Sequence, residues 1–355
     1  METERPARPL VSVSIVNYNG LRFLKGVIPR VYAQTHQPVE LIIVDNASKD
    51  GSKEWIRANY PEITLIENER NEYFARGHNL GIRASKGEYV LILNQDLYLT
   101  DTYIERIVDA MEADPTVGGA DGKLIRLENL DDPVELNTRG KTLDSAGLEN
   151  DIFFQGQVRG FGRVDEGQFD EQTYVFGALG AAAVFRRAFL DDVAFEGQYL
   201  DELFAMYVED FDIAWRGQLL GWKTLYVPTA VGYHLRGLKD RKHAHDPFER
   251  LLLRLVNRNR LIVVLKNATG LQLFVMAPIF ALHEMAKAVV LLARTPFMLR
   301  AYFGVIKHLP STIRKRWEIQ RRRRVTSTHM LGLHVLPQTL VELRELRRRR
   351  RHFGA

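Results

Sequence analysis

The first hundred residues alternate between short runs of aliphatic and β-branched residues and longer stretches with apolar positions at helical spacing. Leu10–Asn17 (LVSVSIVN), Val39–Asp45 (VELIIVD), Ile63–Glu67 and Glu88–Leu93 (EYVLIL) read as strands. Between them, Leu21–Ala33, Lys49–Tyr60 and Ala75–Lys86 read as helices, with Ser48 or Asp50 as the cap of the second and Asp101 opening a fourth. Strands and helices in this order predict a mainly parallel α/β sheet covered on both faces. Ligands of such sheets gather beyond the carboxyl ends of the strands. Those ends carry Asn17-Tyr18-Asn19, Asp45-Asn46 and Asn94-Gln95-Asp96.

The pattern then loosens. Residues 117–174 are rich in Gly, Asp and Asn and suggest loops with short strands. Tyr174–Phe185 is apolar and Gly-rich, Glu209–Leu220 reads as a helix, and Lys223–Val227 and Ala230–His234 read as two strands. Beyond residue 247 the chain turns helical and basic. Leu271–Ala293 is strongly apolar but is interrupted by His283, Glu284 and Lys287, so lying on a membrane is expected rather than crossing it. The expected division is an α/β catalytic domain over 1–246 and a basic, partly apolar helical region over 247–355.

Charge sharpens that division. The net charge of +5 conceals 25 Lys and Arg against 38 Asp and Glu in residues 1–240, and 24 against 6 in residues 241–355. A basic region beside an apolar stretch suits an anionic membrane surface. No base-reading module is visible, so nucleic acid is not expected as a partner, while a solvated face or an oligomer contact stays open. The chain has no cysteine, which excludes disulfide frameworks, thiolate metal sites and a cysteine nucleophile. The polar N-terminus, with Pro6 and Pro9, lacks the apolar core of a signal peptide, so a cytoplasmic location is expected.

Four places carry candidate chemistry. Asp96, just after an apolar strand, can hold a divalent metal bridging a diphosphate, or can simply serve the turn. Glu209 and Asp210 open a helix, where a carboxylate is either a general base or a favourable charge at the helix dipole. His234 ends a strand, as a metal ligand or as a structural residue. The Asn71–Asn79 segment starts a helix with Arg76, which suits a phosphate or is merely a solvated cation. Neither a G-x-G-x-x-G sequence after the first strand nor a Walker A sequence is present.

Five blocks in order, from Val11 to Gly237, resemble glycosyltransferase family 2 with its nucleotide-sugar-binding GT-A fold. They are Val13–Asn19, Ile42–Ser52, Asn71–Asn79 with Gly81, Asn94-Gln95-Asp96 at the D-x-D position, and Glu209-Asp210 with Arg216, Gly221-Trp222 and the later His234. The third block is similar to rhamnosyltransferase-like members, with Tyr73 where those have Gly; Asn94 stands in place of the first carboxylate of D-x-D. The resemblance implies an inverting transferase that moves a sugar from a nucleoside-diphosphate sugar to a hydroxyl of a saccharide or lipid-linked acceptor in polysaccharide or glycolipid assembly. Deoxythymidine-diphosphate rhamnose is the leading donor. It implies that Asp45 contacts nucleobase or ribose with Asn17 and Asn19, and that Asn46, Arg76, Asn94 and Gln95 complete the donor site. It further implies that Asp96 and His234 hold Mg²⁺ or Mn²⁺, and that Asp210, or else Glu209, is the base. The rival reading is a non-catalytic basic protein on membrane or nucleic acid.

Overall fold

A computed structural model describes residues 8–236 and 247–337. Strands β1 (Val11–Asn17), β2 (Val39–Asp45), β3 (Thr64–Glu67) and β4 (Tyr89–Asn94) alternate with helices α1 (Leu21–Tyr32), α2 (Ser52–Asn59) and α3 (Tyr73–Ala84). Their parallel pairing, β4-β1-β2-β3, is the sheet that the apolar runs predict. The caps differ from expectation. Gly51, at φ 82°, precedes α2. Asp50 instead accepts from the Leu21 amide at 2.8 Å and the Ser52 amide at 3.1 Å, joining the starts of α1 and α2.

The second half of the body adds β5 (Leu97–Leu99), α4 (Tyr103–Glu112), β6 (Val117–Arg126), β7 (Leu143–Ser145), β8 (Leu148–Asp151), β9 (Gly156–Val158), β10 (Thr173–Val175), β11 (Ala182–Arg186), α5 (Arg187–Val193), α6 (Glu209–Leu219) and β12 (Lys223–His234). The main sheet runs β10-β12-β6-β11-β4-β1-β2-β3, and β11 lies antiparallel to both neighbours, so the sheet is mixed. Thr102, not Asp101, holds the cap position of α4. Two further expectations change. The supposed loop region contains β6, a ten-residue strand with nine buried positions. Its glycines disguise it but are required: a Cβ on Gly122 would stand 2.1 Å from the Ala230 carbonyl oxygen. The two strands expected before His234 are one strand, β12, whose register against β6 shifts between Val227 and Val231.

The C-terminal part comprises α7 (Pro247–Asn267), α8 (Gly270–Arg294), a 3₁₀ turn at Pro296–Leu299, α9 (Arg300–Arg322), α10 (Ser327–Gly332) and β13 (His334–Val335). Residue 247 marks a change of composition, but packing crosses it. Phe154, Phe204, Phe211 and Trp215 of the body share one buried cluster with Ile262 and Met330. Strand β13 pairs with β8 in a small second sheet. Some of the basic charge is also internal: Lys266 pairs with Asp201 at 2.6 Å and with Asp212 at 2.7 Å, and Lys315 reaches Asp201 at 2.7 Å. One helix among the described residues, over Gly270–Ala293, is long and apolar enough to cross a membrane, where the sequence reading expected none.

Candidate active site

The strand ends of β1 and β2 are locked together. Asn17 donates its side-chain amide to Asp45 at 2.7 Å, Ser52 at 2.9 Å and Ser48 at 3.1 Å. Asp45 also accepts from the Ser48 amide at 2.8 Å, and Asn19 accepts from the Lys49 amide at 2.8 Å. Asn46 donates to Asn71 and to the Tyr73 carbonyl, each at 3.1 Å. Asn17, Asp45 and Asn46 are therefore buried and brace the loops, while Tyr18 and Asn19 form the open surface. Tyr73 keeps its turn at φ 60°, its amide donating to Asn71 at 2.8 Å. A left-handed aromatic residue is strained and persists only where its surroundings fix it.

Beyond β4, the three residues take three tasks. Gln95 accepts from the Tyr18 amide at 2.9 Å and so ties this loop to the one after β1. The Asn94 side-chain amide lies 3.2 Å from His234 Nε2. Asp96 Oδ1 lies 3.4 Å from the same nitrogen, and His234 Nδ1 lies 2.9 Å from Asp144 Oδ2. Burial opposes charge on the imidazole, but Asp96 and Asp144 outweigh it and raise its pKa to about 9.

This set fits a divalent cation as half of a site. A carboxylate and an imidazole whose other nitrogen is held by a second carboxylate are usual donors for such ions. Among the described residues no group of three or more acids and histidines is poised around one point, so diphosphate or water oxygens must complete the shell. A cation taken between Asp96 and His234 would displace the imidazolium proton.

The acid pair at the start of α6 separates into two environments. Glu209 is buried, and its Oε2 has no hydrogen-bond partner among the described residues. Burial first, then the neighbouring Asp210, push its pKa well above the ordinary carboxylate range. Asp210 is partly open and accepts from the Phe211 amide at 2.7 Å and the Gly180 amide at 3.2 Å. Burial raises its pKa too, against those amides and Arg236. The Asp96 and Asp210 neighbourhoods meet at one short segment. Gly180 donates to Asp210, and the next residue, Ala181, accepts from the Asn94 amide at 2.8 Å.

The approach to Asp210 is strained: Ala205, Tyr207 and Val208 have φ of 60°, 66° and 75°. Asn259 of α7 secures it, donating to the carbonyls of Phe204, Tyr207 and Met206 at 2.8, 2.9 and 3.2 Å. Sequence reasoning missed Asn259, Asp144 and Arg236, which also bonds to Asp144. No local motif marks them. Of the expected residues, Arg76 lies outside this gathering. It sits on the exposed side of α3 and pairs with Glu72 at 3.5 Å and Glu202 at 4.0 Å.

Residues 12–193 match the family model for glycosyl transferase family 2, just over half of the chain. The chain belongs to that family. Curated family relatives include an uncharacterized glycosyltransferase of Nostoc, 33% identical over 111 residues, and the glycosyltransferase GlyG of Streptococcus pneumoniae, 30% identical over 115 residues. Those stretches cover 30% and 31% of this chain and 34% and 38% of the relatives, so the chain spans about a third of the relatives' length. Among solved structures, GalNAc-T7 with UDP, GalNAc and Mn²⁺ superposes with a TM-score of 0.55 at 17% identity, over 73% of this chain and 48% of that one. Staphylococcus aureus TarS 1–349 superposes with a TM-score of 0.54 at 13% identity, over 88% and 89%. At such identities the likeness shows the shared GT-A fold alone.

Proposed function

We propose that this family 2 chain transfers a sugar from a nucleoside-diphosphate donor to an acceptor hydroxyl with inversion, with residues 1–246 as the catalytic part. The observation that carries the reading is the Gly180-Ala181 segment: Gly180 donates to the partly open Asp210, and Ala181 accepts from the backbone amide of Asn94, whose side chain adjoins His234. Asp210 takes the proton of the acceptor hydroxyl, whose oxygen then attacks the anomeric carbon from the face opposite the departing diphosphate. Glu209 is buried away from the open side, which leaves that task to Asp210. Mg²⁺ or Mn²⁺ held by Asp96 and His234 would stabilise charge on the leaving diphosphate. Asp144 fixes the His234 ring. Asn17, Asp45 and Asn46 shape the donor pocket from below, and Asn19 and Tyr18 face the donor. Rhamnose is proposed as the donor sugar because of the Asn71–Asn79 segment, and a lipid-linked or saccharide acceptor because of the basic helical region, which we place on the inner face of the cell membrane.

A panel of nucleotide sugars with Mn²⁺, read by release of nucleoside diphosphate, tests this. The wild-type chain should turn over one donor. Asp96→Ala should lose metal-dependent binding of the nucleoside diphosphate, and Asp210→Asn should keep donor KM while kcat falls about 10²–10⁴-fold. Activity retained in Asp210→Asn but absent in Glu209→Gln would move the base to Glu209. Release with no donor would return the chain to the non-catalytic reading.

A further inference from the structure

Helix α8 is amphipathic in the reverse sense for a water-exposed helix. Its polar residues turn toward the protein. Gln272 bonds to the Met330 carbonyl at 3.0 Å, His283 lies 2.9 Å from Gln155, and Glu284 pairs with Arg260. Lys287 is half-buried on the same side. Every exposed position from Phe274 to Ala293 is apolar, with Phe274 82% and Val289 67% exposed, and only 11% of the apolar window lies buried in the fold. Helix α9, joined to α8 where Tyr302 bonds to Glu284 at 3.4 Å, also exposes Phe303, Ile306 and Trp317, the last 75% exposed. A patch this size on a folded protein marks a contact surface.

We propose that the outward faces of α8 and α9 are a lipid-docking surface that settles the chain into an anionic membrane leaflet without crossing it. The proposal rests on the membrane attachment suggested above and assigns that attachment its surface. Charge chooses the occupant. Arg300, Lys307 and Arg321 are exposed along α9. Among the described residues 250–337 the acids are Glu284 and Glu318; the first faces Arg260, and the second is half-buried with Arg322 at 3.9 Å. Apolar side chains flanked by cations and free of exposed acids match an anionic lipid surface. A second copy of the chain would instead bring like charges to both sides of the contact. Lying flat rather than crossing follows from the inward face: Gln272, His283 and Glu284 are bound to other parts of the fold, so α8 presents one side only to lipid.

The test is sedimentation of the full chain with vesicles of phosphatidylcholine, with and without phosphatidylglycerol. The chain should bind the anionic vesicles, and high salt should release only part of it, because screening weakens the cations and not the apolar contact. The triple variant Phe274→Glu, Leu282→Glu, Val289→Glu should lower the partition coefficient about tenfold or more. All three side chains are exposed, so its thermal unfolding should stay cooperative. A triple variant that binds as the wild type does overturns this surface and leaves membrane attachment standing. Wild-type chain that ignores both vesicles overturns both, and a dimer that the same substitutions dissociate would then give the face to a second copy. Nucleoside-diphosphate release in vesicle-free solution, measured on the same samples, reports on the transferase reading independently.

Discussion

The body and the C-terminal helices solve burial in opposite ways. In the body, β2 and β4 put aliphatic side chains inside on both faces of the sheet, β1 does so on one face with buried Ser12 and Ser14 on the other, and polar residues collect at the strand ends. In the C-terminal part, cations go inside. Lys266 and Lys315 are buried against Asp201 and Asp212, Lys266 also lies 4.7 Å from the Phe204 ring, and the apolar residues of α8 face outward. Ionic groups are costly to bury and are kept only when paired. The pairing here joins the helices to Asp212 on α6, the helix that also carries Asp210. The difference teaches that the basic third is no appendage. It supplies counter-charges to the body and leaves its own apolar side exposed.

The strongest challenge to that view is a chain stopped after residue 246. If the helices complete the core around Phe154, Phe211 and Trp215, the truncated chain should show no cooperative thermal transition by circular dichroism and should aggregate. A soluble fragment with a sharp transition would restore two independent domains. A smaller effect comes from Lys266→Met, which removes the charge but keeps much of the volume. Breaking a buried pair costs about 3–5 kcal/mol, and the lower end is expected because Lys315 still serves Asp201 and Arg216 still serves Asp212 at 3.0 Å. Denaturant midpoints check this, and an unchanged midpoint would make the pairing dispensable. The smallest loss of stability should come from Asn259→Ala. One amide group serves three carbonyls with two protons, so about 1–3 kcal/mol is expected. Because those carbonyls precede Asp210, kcat should fall while donor KM holds. A change in KM alone would separate the loop from the chemistry.

The sheet was legible where apolar runs stop abruptly at polar residues: β2 ends at Asp45 as expected, and β4 within one residue of its reading. Strand β6 was not, because Gly118, Gly119, Asp121 and Gly122 carry the composition of a loop, while Gly118 makes room for Phe189, Gly119 for Phe185 and Gly122 for the close approach of β12. Within the site, Asp96, Asp210 and His234 could be read because each adjoins a recognisable strand or helix end. Asp144 and Asn259 could not, since their partners lie 90 and about 50 residues away and leave no local pattern. In sequence only the family resemblance ranked Asp210 ahead of Glu209; burial and the Phe211 and Gly180 amides separate them in the fold. The positions of His283, Glu284 and Lys287 held a readable clue. Residues at i, i+1 and i+4 share a side of a helix, so the three breaks in the apolar run leave the other side unbroken.

The pairing of β13 with β8 has a consequence for how the chain is made. His334 Nδ1 lies 2.8 Å from the Asp151 carbonyl oxygen, across 183 residues. At synthesis rates of about 5–20 residues per second, the ribosome needs on the order of ten to forty seconds to deliver the second partner after the first. From the synthesis of Trp215 until that of Met330, the aromatic strip of Phe154, Phe176 and Trp215 stands translated without Met330 to close over it. A nascent chain of this protein therefore offers chaperones a timed target, and slow codons between residues 215 and 330 would lengthen its exposure.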